Sequence, residues 1–279
     1  MTSTDAGARL PSLAEAHQVP DDCIAELAAT GHTVVRGLAS REEVAAFRPA
    51  IERAVARHAE RAAPLDERDT YGKAFLQVAN LWQRDERIAQ FVHAPRFAQV
   101  AAALLGVEGV RLYHDQALCK EPGGGFTPWH QDHVYWPFET DRTITMWMPL
   151  VDVPADVGSM TFATGSHSLG ELGRHVIGDD SESAYTATVE ALGLPLDTHG
   201  AVAAGDATFH LGWTLHRAPA NTSDQMRSVM TVIYFADGAV VGPLDSPYRA
   251  FDNKVWLDSI PTGEPAAGPL NPVLWPVPS

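Results

Sequence analysis

The stretch Trp129-His130-Gln131-Asp132 sets an imidazole and a carboxylate two positions apart. In a segment with strand character both side chains leave the same face, which makes a two-toothed claw for a metal ion. A third ligand has to come from a distant strand, and the candidate is His216, at the end of His210-Leu-Gly-Trp-Thr-Leu-His216. Two imidazoles and one carboxylate on one face of an octahedral ion leave the opposite face open, which suits non-haem Fe(II) that binds a cosubstrate and dioxygen. Arg227 follows the Asn221-Thr-Ser-Asp224 turn and heads the apolar run Ser228 to Phe235, so its planar fork of donors would point back toward the metal strand. A buried guanidinium needs a carboxylate partner, and the distal carboxylate of 2-oxoglutarate would provide one.

The residues alone leave plainer alternatives open. His130 and Asp132 also suit a hydrogen-bonded pair in a polar barrel mouth, His216 a satisfied core imidazole, and Arg227 a surface strand residue. The setting favours the metal: His130 follows a Gly/Pro loop, Glu121-Pro-Gly-Gly-Gly-Phe-Thr-Pro128, of the kind that brings a strand to a cavity rim.

Stepping outward, the elements that must position these groups fall into two textures. Residues 20–106 read as a mostly helical layer. Asp21 onward has helical spacing that ends at Gly31, a short strand follows over 32–38, and Ser40-Arg-Glu-Glu43 is a capping box that starts a long helix at Arg41. Residues 75–82 fit either an extended segment or a helix start, and two helices follow over roughly 85–93 and 95–105, the second with Pro95 in its first turn and Gly106 at its end. From 107 to 236 strand-like runs at 109–119, 129–136, 143–153, 158–163, 200–204, 206–211 and 226–236 predict a mainly β core with flanking helices, a sandwich or barrel. The polar, Gly-containing stretch 166–199 is expected as an excursion or lid over one end of it, and the Pro-rich residues 237–279 as a surface wrap without regular structure. A single domain over 1–279 is expected.

Composition narrows the function classes. Lys+Arg 20 against Asp+Glu 35 gives a net charge of −15, which argues against nucleic acid and anionic membrane as partners and mildly against polyanionic substrates, although plain solubility explains most of that charge; a small-molecule substrate is expected. Two cysteines exclude a disulfide scaffold or a zinc cluster of thiolates. No apolar run reaches the ~18 residues of a membrane span, and the first residues lack a secretory pattern, so a cytoplasmic protein is expected. Oligomeric state leaves no sequence signal.

Trp-His130-Gln-Asp132, Thr145-Met-Trp-Met-Pro-Leu-Val-Asp152, Gly158-Ser-Met-Thr-Phe-Ala-Thr-Gly-Ser-His167, Gly205-Asp206 leading to His216, and Arg227 together resemble the phytanoyl-CoA dioxygenase-like family of Fe(II)/2-oxoglutarate oxygenases, over roughly residues 110–236. The resemblance implies a double-stranded β-helix, a jelly-roll, cupin-like core. It implies that His130, Asp132 and His216 bind iron, that Arg227 holds the cosubstrate, and that Gln116 and Trp147 line the cosubstrate pocket. It implies dioxygen as second cosubstrate and hydrogen abstraction from substrate, with hydroxylation as the default and cyclisation, epimerisation or desaturation open to the same radical. A carboxylate at Asp132 favours this over halogenation, since a halide would need its coordination position.

Phytanoyl-CoA itself would require basic residues around its phosphates, and this chain offers no evident cluster. A smaller, less charged molecule is expected, as in members of bacterial secondary-metabolite and antibiotic biosynthesis. Phe126, Trp129, Tyr135, Trp136 and Phe138 surround the claw in sequence. Trp136, with Phe75 or Trp213, is expected to line a largely apolar pocket for a ring-containing substrate, with His133 and His114 as polar contacts; core packing and ordinary hydrogen-bonded histidines are the alternatives. Two other classes compete: a cupin-like metal-dependent hydrolase or isomerase that does not use dioxygen, with Arg227 on a carboxylate substrate, and a non-catalytic small-molecule-binding barrel.

Overall fold

The computed structural model describes residues 9–154 and 159–277. In chain order these form α1 (Asp21–Thr30), β1 (His32–Val35), α2 (Arg41–Ala59), α3 (Thr70–Ala74), β2 (Leu76–Ala79), α4 (Glu86–Val92), α5 (Pro95–Leu105), β3 (Val110–Cys119), β4 (Thr127–His130), β5 (Thr143–Pro149), β6 (Thr161–Ala163), α6 (Asp179–Leu192), β7 (Leu196–Asp197), β8 (Ala207–Leu211), β9 (His216–Ala218), β10 (Val229–Ala236), α7 (Pro247–Trp256) and β11 (Val273–Trp275).

Local signals set the helix ends. Gly31 closes α1 in the left-handed conformation that a side chain disfavours, and its N–H donates to the Leu27 carbonyl. At α2 the Ser40 side chain accepts from the Glu43 N–H while the Glu43 carboxylate accepts from the Ser40 N–H, which satisfies two orphan donors at once. Pro95 opens α5 and Gly106 ends it.

The strands make two antiparallel sheets. The larger runs β1-β8-β5-β10-β3-β11, with β2 added beside β3, and the smaller runs β4-β9-β6-β7. The larger sheet thus reaches beyond residues 107–236, drawing strands from both ends of the chain. Period-two alternation gives it two different faces. Ile144, Met146, Met148, Phe209, Met230, Val232 and Tyr234 point outward into one core with Leu27, Phe47, Ile51, Phe91 and Phe97 of the helices. The opposite face carries His114, Gln116, Thr145, Trp147, His210, Thr231 and Ile233 and borders a cavity. This helix-backed, two-sheet β core is the jelly-roll architecture expected from the sequence.

Several stretches differ from expectation, among them 200–204, which forms only isolated bridges at Val202 and Ala204. The strand over 129–136 stops at His130, and Asp132–Val134 is a 3-10 turn. Residues 166–199 contain α6, whose Tyr185 and Val189 pack with Trp129, Ala163 and Leu215 behind the smaller sheet; its acidic first turn, Asp179, Asp180 and Glu182, suits a helix N-terminus. The C-terminal stretch, largely irregular as expected, nonetheless holds two regular elements: Ser246 caps α7, Pro247 is its first residue, and β11 joins the larger sheet. Proline there opens a helix, because its missing N–H is one the first turn does not use. Gly158, part of the family-like motif, lies outside the described residues.

Candidate metal centre and its cavity

His130 ends β4 and His216 begins β9, and the two are directly paired across the antiparallel ladder. Their rings are 4.1 Å apart between centroids. Gln131 keeps an extended backbone, φ −115 and ψ 125, so Asp132 still leaves the chain on the His130 side although the strand has ended. The Gln131 side chain goes the other way: its amide donates to the Gly170 and Trp213 carbonyls and its oxygen accepts from the Leu172 N–H.

One ligand atom from each of His130, Asp132 and His216 lies within 4.8 Å of the others. Asp132 Oδ1 is 3.6 Å from His130 Nε2 and 3.9 Å from His216 Nε2. Both histidines use Nδ1 against a backbone carbonyl, Pro128 for one and Thr214 for the other, each at 2.9 Å. A carbonyl can only accept, so Nδ1 carries the proton and Nε2 presents its lone pair to the centre. Burial pushes both imidazoles below their ordinary pKa, which keeps them neutral donors. Burial would raise the Asp132 carboxyl, yet the His210 hydrogen bond and the nearby imidazoles hold it well below the usual carboxylate range. Three converged donors, two neutral nitrogens and one anionic oxygen, fit a divalent first-row ion.

The second oxygen of Asp132 belongs to the larger sheet. Thr145 Oγ1 donates to Oδ2 at 3.0 Å and His210 Nε2 lies 3.2 Å from it. Thr145 and His210 are register partners on β5 and β8, so adjacent strands aim both donors at one atom. Sequence reasoning gave neither a role. Thr145 shares the strand face of Trp147, which was its available signal; His210 had no local one.

The metal centre opens into a cavity of about 660 Å³, within the range of small-molecule sites. Arg227, Gln116 and Trp147 all line it. Arg227 is 4% exposed with its guanidinium 5.5 Å from the Trp147 ring, and burial lowers its pKa to about 10, so it stays a cation. Thr231 pairs with Gln116 on one side and Trp147 on the other, which puts these two on one row of the sheet. Gln116 accepts from Gln77 Nε2 at 2.7 Å and reaches His114 Nδ1 at 3.3 Å. Lys120 is bridged to Arg227 through the backbone and its fully buried Nζ donates to the Gly125 and Pro219 carbonyls and to Thr127 Oγ1, pinning the Gly/Pro loop beside the site.

Of the substrate-side candidates, Trp136, Phe75 and His114 border the cavity. His133 and Trp213 do not. His133 lies in the 3-10 turn that begins at Asp132 and is buried in the wall, where its ring bonds Thr143 Oγ1 at 3.0 Å and packs on Trp213 at 4.4 Å. Residues that the sequence left unassigned complete the walls: Tyr71, Gln77 and Tyr135, then Val176 and Ile177 ahead of α6, and Tyr248, Asp252 and Trp256 on α7.

Comparison with known proteins agrees with this geometry. Residues 28–229 match the family Phytanoyl-CoA dioxygenase (PhyH). A curated relative, "Probable alpha-ketoglutarate-dependent hypophosphite dioxygenase" of Stutzerimonas stutzeri, is 26% identical over 171 residues, 60% of this chain; the chain spans 59% of that relative's length. Among solved structures, the epimerase SnoN in complex with Fe3+, α-ketoglutarate and nogalamycin RO is 28% identical with a TM-score of 0.75, covering 91% of this chain and 98% of its own. The non-haem α-ketoglutarate-dependent carbocyclase SnoK from nogalamycin biosynthesis is 27% identical with a TM-score of 0.73, covering 91% and 96%. The chain belongs to the phytanoyl-CoA dioxygenase (PhyH) family.

Proposed function

We propose that this chain oxidises a small, largely apolar, ring-containing molecule by hydrogen abstraction, with hydroxylation as the default outcome and cyclisation or epimerisation open to the same site. The observation that carries this is the convergence of His130, Asp132 and His216 within 4.8 Å at a cavity that Arg227 also lines. When bound, iron and 2-oxoglutarate use dioxygen to supply the oxidising step, and 2-oxoglutarate leaves as succinate and carbon dioxide.

The chain's own residues position and exclude. Arg227 supplies a two-pronged donor for the far carboxylate of the cosubstrate, with Trp147 against its guanidinium and Gln116 at its side. Thr145 and His210 hold Asp132 Oδ2, leaving Oδ1 toward His130 and His216, where the three side chains would hold the ion. Trp136, Phe75, Tyr135 and Ile177 provide ring-sized apolar walls that keep water from the reacting centre. The likeness to SnoN and SnoK supports a tailoring substrate, and a net charge of −15 supports a small molecule over nucleic acid. A cytoplasmic setting belongs to the same proposal; among the described residues no helix is long and apolar enough to cross a membrane.

The test is anaerobic loading with Fe(II) and 2-oxoglutarate, then exposure to oxygen with succinate and oxygen consumption followed together. Equimolar oxygen use and succinate formation are expected, both abolished in His130→Ala. Metal-dependent turnover under nitrogen without succinate would overturn the reading in favour of a hydrolase or isomerase.

A further inference from the structure

Tyr248, Asp252 and Trp256 stand four residues apart on α7 and all border the cavity. That spacing stacks them along one face of a helix, a ring at each end and a carboxylate between. Tyr248, 40% exposed, sits toward solvent and Asp252, 8% exposed, lies deeper. Trp256 packs its indole against the His114 ring at 4.8 Å, which ties this end of the stripe to the larger sheet.

Asp252 is held without being neutralised. The Tyr113 hydroxyl donates to its Oδ2 at 3.0 Å and the Trp256 indole N–H lies close enough to favour the charged form, so the groups that support the carboxylate are uncharged. Among the described residues the charged group that bears on it is Asp132, which is negative, and burial together with that repulsion pushes its carboxyl up to about 7. The cavity's two arginines are engaged elsewhere. Arg217 pairs with Glu182 and lies over Trp129, while Arg227 lies on the Trp147 ring. A buried carboxylate without a cation is costly, and a counter-ion delivered by the ligand repays that cost. Aromatic rings one helical turn to either side of it are surroundings in which an alkylammonium group can be additionally attracted.

We propose that the stripe of Tyr248, Asp252 and Trp256 recognises a protonated amine, so that the substrate is a ring-containing molecule bearing an aliphatic ammonium group. This rests on the oxygenase reading only in taking the same cavity as the substrate's. Binding the amine at α7 leaves the ring system lying along Trp136 and Tyr135 toward the metal centre. The stripe is then a specificity element, remote from the bond that breaks.

The experiment uses two probes that share one ring system, 2-naphthylmethylamine and its uncharged N-acetyl derivative. The full chain, loaded with Fe(II) and 2-oxoglutarate under nitrogen at pH 8, is titrated with each by calorimetry. The amine is expected to bind at least about tenfold more tightly than the amide. In Asp252→Asn, which keeps the shape, the amine should weaken to within about twofold of the amide while the amide is bound as before. Equal affinity of the two probes for the unaltered chain overturns the proposal whatever the variant does, and so does an amine preference that survives in the variant. Because no turnover is needed, the outcomes separate. Absence of oxygen-dependent succinate formation with the amine preference intact fells the oxygenase reading alone, and the reverse fells the amine site alone.

Discussion

Replacing Thr145 by Val should loosen the metal centre without touching a ligand. The Thr145 hydroxyl is one of two donors on Asp132 Oδ2, at 3.0 Å, with His210 Nε2 at 3.2 Å as the other. A hydrogen bond to a charged acceptor contributes about 1.5–3 kcal/mol, and valine nearly matches threonine in volume, so the change removes that bond and little else. With His210 still in place the lower end of the range applies. About 1.5 kcal/mol corresponds to roughly a tenfold loss of metal affinity, the size of effect seen when a ligand loses an outer partner. Anaerobic calorimetric titration with Fe(II) in the presence of 2-oxoglutarate measures it, with a thermal melt of the metal-free chain to show that the fold is intact. His210→Phe should act in the same direction, and the double variant should exceed the sum because each donor covers in part for the loss of the other. A Thr145→Val chain that binds Fe(II) within about twofold of the unaltered one would refute the claim that the orientation of Asp132 is held by these donors.

Arg227→Met should raise the 2-oxoglutarate concentration needed for half-maximal succinate formation by about thirtyfold or more, since a bidentate, charge-assisted contact is removed; an unchanged requirement would move the cosubstrate elsewhere. Gly205 has φ +94, and a Cβ there would stand 2.1 Å from the Ala39 carbonyl oxygen. Gly205→Ala should therefore cost about 2 kcal/mol or more, a fall of roughly 4–8 °C in a thermal melt. Asp115 is fully buried, and burial raises its carboxyl to about 7 despite the backbone N–H groups of Leu81 and Trp82. Its folded pKa lies above its unfolded one, so the native chain holds the extra proton between pH 4 and 7 and loses stability as pH rises through that window. Denaturant melts of Asp115→Asn should lack that decline and gain on the unaltered chain from pH 4 to 7; parallel pH profiles would contradict it.

The legible parts of this sequence were those fixed by neighbours in the chain. The Ser40/Glu43 box, Gly31, and the Pro95 and Gly106 ends mark helices through backbone groups a few residues away, and all stand where expected. His130 and Asp132 were readable because an extended chain repeats every two residues. What the sequence hid depends on strand pairing. Thr145 and His210 meet Asp132 only because β5 and β8 are adjacent and the smaller sheet folds over them. His133 and Trp213 pack on each other away from the cavity, a contact between two distant stretches that no local pattern shows. The C-terminal helix was hidden by its prolines, although Ser246-Pro247 is a helix start and Tyr248, Asp252 and Trp256 have helical spacing.

Asp132 reaches out in two directions, one oxygen toward ligands on the smaller sheet and the other toward Thr145 and His210 on the larger. It works as a cross-pin between the two halves of the β core. Parting those halves to admit a bulkier molecule would pull the pin and spill the ion, so the gap between them is not a dimension along which this scaffold can vary its diet. Room has to come from the flank built by α7 and the residues ahead of α6, which border the cavity but hold none of the three metal-directed side chains. Efforts to redirect the enzyme to new molecules belong on that flank.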